Sequence, residues 1–69
     1  MERPDWREVW EDNYVRIRDQ IKAERAAGCS PRKEMKDHSD SSIDKYSRKE
    51  ADRRCDEAIN RYNEKVTQG

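Results

Sequence analysis

The sequence holds no phenylalanine and no leucine, and only four isoleucines, three valines and two methionines. These are the side chains that most often fill protein interiors, so a chain this poor in them cannot enclose a substrate pocket in a core of its own. Glycine and proline number two each. That scarcity, together with apolar residues that are spaced rather than scattered, argues against the disorder that high charge otherwise suggests. Cys29, His38 and Cys55, the two cysteines and the one histidine, are separated by intervals that match none of the compact paired zinc spacings. Neither a metal nor another cofactor is expected. No apolar run approaches the roughly 18 residues of a membrane span, and Met1-Glu2-Arg3-Pro4 lacks the apolar stretch of a secretory signal. The expectation is a cytoplasmic protein with no membrane partner. An excess of charge of one sign is missing too: 16 Lys and Arg stand against 16 Asp and Glu. Their interleaving excludes a bulk basic nucleic-acid binder and an acidic tail.

What is present is charge and periodicity. Charged residues make up 46% of the 69 and apolar residues 30%, against roughly 25% and 45–50% in ordinary domains. From Pro4 to Gly28 the chain carries the punctuation of one helix. Asp5 with Glu8 forms a capping-box pattern, acids lead the first turns, bases crowd the later ones, and Gly28 supplies a left-handed stop. Trp10, Tyr14, Ile17 and Ile21 recur at steps of four, three and four, which puts them on one stripe. Trp6 lies on its edge, about 40° from the centre at 100° per residue, and Val15 points away among charges.

Ser30-Pro31 opens a second segment in which Arg32 to Asp37 suit a short helical turn, before a polar, turn-rich run from His38 to Ser42. The helical period returns from Ile43 with Ala51, Cys55, Ala58, Ile59, Tyr62 and Val66. Two caps compete, Ser41 with Asp44 and Ser47 with Glu50. On a straight helix, Ile43 and Tyr46 fall about 120° and 180° from Cys55. Either the helix bends or restarts near Ser47, or Ile43 and Tyr46 serve a different contact from Ile59 and Tyr62.

The fold class that follows is all-α: one domain over residues 1–69, a helical hairpin with a helix at about 5–27, a connection at 28–42 holding room for a short helix, and a helix at about 43–67. Cys55 then stands some 20 Å along the axis from the loop end, and Cys29 stands near the loop. The pair exceeds the roughly 7 Å Cα limit for a bridge, so Cys55 reads as a small buried hydrophobe. Scaffolds below about 70–80 residues rarely draw more than roughly 3–5 kcal/mol from one core. A homodimeric four-helix bundle is the simplest completion, with Trp6, Trp10, Tyr14, Ile17, Ile21, Ala51, Cys55, Ile59, Tyr62 and Val66 as the shared dimer and core interface.

No Ser or Cys has a recognisable base and orienting group beside it, so the chain is expected not to be an enzyme. The densest basic stretch, Arg48-Lys49 with Arg53-Arg54, is interrupted by Glu50, Asp52, Asp56 and Glu57, and nucleic acid is not favoured. Three function classes stand: an inhibitor or adaptor covering a surface of another protein, a small dimeric nucleic-acid-binding regulator, and a structural bundle subunit without a separate partner.

In size and plan, from Asp5–Glu8 through the Trp6, Trp10, Tyr14 stripe to Tyr62, the chain resembles the anti-activator (anti-quorum-sensing) proteins, small helical accessory proteins that phages make early in infection. The resemblance implies an inhibitor in the host cytoplasm. Its partners would be host proteins: a LuxR-type quorum-sensing transcription activator, covered over its basic DNA-binding surface, and the type IV pilus assembly ATPase. Acids displayed outward would then matter, Glu11, Asp12 and Asp19 on the first helix or Asp52, Asp56 and Glu57 on the second, with Arg16, Arg18 and Tyr46 as further exposed anchors.

Overall fold

An acceptor placed ahead of a run free of helix breakers starts the first helix. In the computed structural model, which describes residues 4–68, Asp5 has extended backbone and its carboxylate accepts from the amides of Arg7 (3.1 Å) and Glu8 (3.4 Å). Helix α1 spans Trp6–Ala26. Its end is a Schellman turn: the Gly28 amide donates to the Arg25 carbonyl (3.1 Å) and the Cys29 amide to the Glu24 carbonyl (2.9 Å). Gly28 takes φ +78°, the left-handed conformation the turn requires. The readings drawn from Met1, Glu2, Arg3 and Gly69 lie outside the described residues.

Helix α2 spans Asp40–Gln68 without interruption, so it starts ahead of position 43 and does not restart near Ser47. Neither expected cap is used, because Ser41 and Ser47 both lie inside the helix. The cap is Ser39, whose hydroxyl accepts from the Ser42 amide (3.3 Å) and whose carbonyl accepts from the Ile43 amide (2.9 Å). Asp37 holds the Ser39 amide at 2.9 Å in an Asx turn, and that turn fixes where helical backbone begins. Between the helices, the room for a short helix is filled by a single turn closed by the Met35 amide on the Arg32 carbonyl (2.8 Å). The side chains of Arg32 and Met35 are held by the helices instead of by each other.

The two helices pack against each other, with no strand among the described residues. Ile17 and Ile21 of α1, Met35 of the connection and Ile43 of α2 form the core cluster, with Tyr46 packed on it. The buried line continues along α2 through Ser47, Ala51 and Cys55, a strict step of four. Each such step advances about 40° around a helix at 100° per residue. A seam that follows this ridge runs obliquely, as ridges packed into grooves do, and reaches Ile43 without any bend. Ile43 and Tyr46 therefore belong to the loop-end cluster, while Tyr62 packs on Trp6 at the opposite end. Ser47, fully buried, sits mid-seam and donates its hydroxyl to the Ile43 carbonyl at 2.7 Å, so no polar hydrogen is stranded.

The hairpin is long and thin, 46 × 19 × 18 Å, with a radius of gyration of 14.7 Å where a compact chain of this length gives about 11 Å. Its accessible surface is 5681 Å², whereas a compact monomer of 8.3 kDa exposes about 4,600 Å².

Ile21 is fully buried in this small cluster, so Ile21→Ala should cost about 2–5 kcal/mol, read as a large drop in thermal midpoint by circular dichroism. Ser47→Ala removes a bond to a carbonyl that the helix already satisfies and should shift stability by less than about 1 kcal/mol. Gly28→Ala meets nothing within 4 Å, so its expected loss of about 1–2 kcal/mol is conformational alone.

Candidate functional site

The aromatic stripe of α1 turns toward α2 and is locked there by carboxylates. Trp10 donates its indole N–H to Asp52, and Tyr14 donates its hydroxyl to Asp44. The two rings stack with centroids 5.4 Å apart and planes 19° apart, and the Arg18 guanidinium lies 5.5 Å from the Tyr14 centroid. One flank of the seam is thus a column of Arg18, Tyr14 and Trp10, of which Tyr14 and Trp10 are bonded to acids of α2 and Arg18 to Asp19 of α1. The Tyr14 hydroxyl, followed by Arg48 at 3.1 Å, holds the Asp44 carboxyl below its ordinary value of 3.8. At the open end Trp6 meets Tyr62 edge-to-face, 5.7 Å between centroids, and the Cys55 thiol donates to the Trp6 carbonyl at 3.6 Å. Both cysteines are free, Cys55 buried and Cys29 exposed.

Most of the residues expected to form a shared dimer and core interface are packed within the one chain. Trp6, Trp10, Tyr14, Ile17, Ile21, Ala51, Cys55, Ile59 and Tyr62 are buried or half-buried along the hairpin, and Val66 alone of that set is exposed, at 61%. The expected anchors divide. Glu11, Asp12, Arg16, Asp19, Asp56 and Glu57 are exposed, with Asp12 pairing Arg16 (3.4 Å), Asp19 pairing Arg18 (3.4 Å) and Glu57 pairing Arg53 (3.1 Å). Arg18 and Tyr46 are not free anchors: both are half-buried, Arg18 on Tyr14, and Tyr46 between the core cluster and Arg32. Asp52 is committed to Trp10.

Sequence periodicity gave no sign of the contacts that close the loop end. Arg32 reaches back eight positions to grip both carboxylate oxygens of Glu24, at 2.8 and 3.3 Å, and its guanidinium lies 5.5 Å from the Tyr46 ring centroid. The Arg32 fork lowers the Glu24 carboxyl below 4.5, and Glu24 in turn raises Arg32 above its ordinary value. Arg25 bonds the Asp40 carboxylate (2.9 Å) and the His38 carbonyl (3.1 Å), which lowers Asp40. His38 is half-buried, and its Nε2 has no partner among the described residues.

Three of the four cations of the basic stretch of α2 are paired, Arg48 with Asp44, Lys49 with Glu34 (3.8 Å), and Arg53 with both Glu50 (2.9 Å) and Glu57, while Arg54 forms no ion pair among the described residues. Beyond it, past the Trp10 lock, the second flank lies open. Pro4, Trp6, Val9, Ala58 and Tyr62 line a groove of about 670 Å³ whose rim carries Arg54, Glu57, Arg61, Glu64 and Lys65. No helix among the described residues is long and apolar enough to cross a membrane. Comparison with family models, with characterised proteins and with solved structures finds no match to this chain.

The depressed carboxyls set the acid response. Glu24, Asp40, Asp44 and Glu50 all lie below their ordinary values, and the hydroxyl and amide of Ser39 bring Asp37 down to about 2. A carboxyl lowered on folding contributes stability that is complete above its unfolded value and is lost as pH falls through its folded one. The thermal midpoint should hold steady from pH 7 to about 5 and fall through pH 4.5 toward 2. Glu24→Gln should lower the midpoint at neutral pH and flatten the first part of that fall.

Proposed function

We propose that the chain is a non-enzymatic protein-binding inhibitor that acts as a homodimer and blocks its target by covering a surface. The resemblance to phage anti-activator proteins gives the target class: a LuxR-type transcription activator, covered over its DNA-binding surface, with the type IV pilus assembly ATPase as a second partner and the host cytoplasm as the place of action. The observation that carries this reading is the excess of exposed surface. The hairpin shows about 1,100 Å² more than a compact chain of its mass, which is of the order of one partner's roughly 800 Å² share in a standard-size interface. Surface of that extent on so thin a core suits a chain completed by association. Glu11, Asp12 and Asp19 stand outward along α1, where a basic surface would meet them and electrostatic complementarity would steer the encounter. Pairing of Arg48, Lys49 and Arg53 with acids weighs against duplex DNA as the ligand.

The test is displacement. A labelled promoter duplex bound by a LuxR-type activator is followed by fluorescence anisotropy while the chain is added; release of the duplex is expected, with Glu11→Lys/Asp12→Lys/Asp19→Lys weaker by about tenfold. A duplex that stays on the activator at about 50 µM chain, a Kd weaker than roughly −6 kcal/mol of binding, overturns the reading. Salt-dependent binding of the chain itself to free duplex would favour a nucleic-acid regulator instead.

A further inference from the structure

The aromatic stripe first expected between copies is consumed inside the hairpin, so a dimer needs another face. We infer that the open groove beside Trp6 and Tyr62 is the seat of a second copy of this chain, with the two α2 helices antiparallel about a two-fold axis near Ile59. The inference rests on the homodimer of the proposed function and locates it. The groove has an apolar floor, including Val9 and Ala58, and a rim of exposed charges of both signs. Among the described residues, Arg54, Arg61 and Glu64 form no ion pair within the chain, unlike the cations just before them.

The order of these charges is self-complementary. A two-fold interface is isologous, so residue i meets residue j and j meets i. The antiparallel register that sets Arg54 against the partner's Glu64 also brings the partner's Arg61 to Glu57, which Arg53 of its own chain already holds at 3.1 Å, because both pairs are symmetric about Ile59 in the sequence. Each pair then occurs twice across the axis. The opposite flank offers no such seat, as Trp10 and Tyr14 are already bonded to Asp52 and Asp44.

Arg54 and Glu64 stand ten residues apart on one helix, about 15 Å along the axis, so they cannot reach each other within a chain. Arg54 does act on Glu50 of its own chain, so it is rescue of one exchange by the other that reports on contact between copies. Sedimentation of the chain alone at low salt should give a dimer. Arg54→Glu should weaken it by about tenfold, because the reversed charge acts twice, and Arg54→Glu/Glu64→Arg should restore it. Val9→Arg should give a monomer with unchanged helical circular dichroism, whereas Val15→Arg, about 120° around α1 from Val9 and outside the groove, should leave the dimer intact. A dimer indifferent to Arg54→Glu, not rescued by the double exchange, or broken by Val15→Arg instead, overturns this seat while leaving dimerisation in place. A wild-type monomer at about 100 µM, weaker than roughly −5.5 kcal/mol of association, overturns both the seat and the dimer. The displacement experiment, which uses the activator, decides inhibition separately.

Discussion

The hairpin depends on an inequality of size across its seam. Helix α1 contributes Trp6, Trp10, Tyr14, Ile17 and Ile21, while over much of its length α2 answers with Ser47, Ala51 and Cys55. Small residues on one helix let bulky ones on the other lie flat between the backbones, which is how a chain without leucine or phenylalanine reaches close packing. The oblique step of four follows from the same arrangement, since the small side chains form a continuous groove along that ridge. A large residue at Ala51 would push the helices apart in the middle. It would also take Asp44 out of reach of the Tyr14 hydroxyl and Asp52 out of reach of the Trp10 indole N–H.

Charge then does locally what apolar bulk cannot. At the loop end, the Arg32 fork on Glu24 with its contact to Tyr46, and Arg25 on Asp40, tie the connection to both helices. The Arg32–Glu24 pair is only about one quarter exposed on each side, bidentate, and so stronger than an isolated surface pair. Exposed pairs such as Arg16–Asp12 add little individually. The cost of ordering a thirteen-residue connection between α1 and α2 is met by the few contacts that are partly shielded from water, together with Met35 entering the core.

Much of the fold was legible because helix ends and apolar stripes are local signals. Asp5 and Gly28 mark the ends of α1 by backbone chemistry that a few neighbouring residues specify, and Trp10 to Ile21 declare a face by spacing alone. What stayed hidden was non-local or polar. Ser47 does not register as core because it is a hydroxyl, and its burial depends on the Ile43 carbonyl one turn away. Ser39 was masked by Ser41 and Ser47, which each have an acid three residues on, and the Asp37 carboxylate on the Ser39 amide decides for Ser39. Tyr46 looked like surface, and Asp52, which is exposed, looked unengaged, because nothing within four residues reveals Arg32 or Trp10 as their partners. Of the anchors read from sequence, Arg18 and Tyr46 are half-buried, while Glu11, Asp12, Arg16, Asp19, Asp52, Asp56 and Glu57 are exposed.

That reduction changes what kind of association the chain can support. A free stripe of tryptophan, tyrosine and isoleucine would bind many apolar surfaces with little regard for register, since hydrophobic burial is non-directional. Once that stripe is closed within the hairpin, the exposed remainder is a narrow apolar floor with charges of alternating sign. Such a surface gains little from indiscriminate burial and loses affinity wherever like charges face each other. In the dimer proposed above, balanced charge, which by composition alone excludes a long-range pull toward nucleic acid, would be a means of choosing partner and register at short range. In a chain this poor in large apolar residues, specificity of any such contact would have to come from the order of its charges.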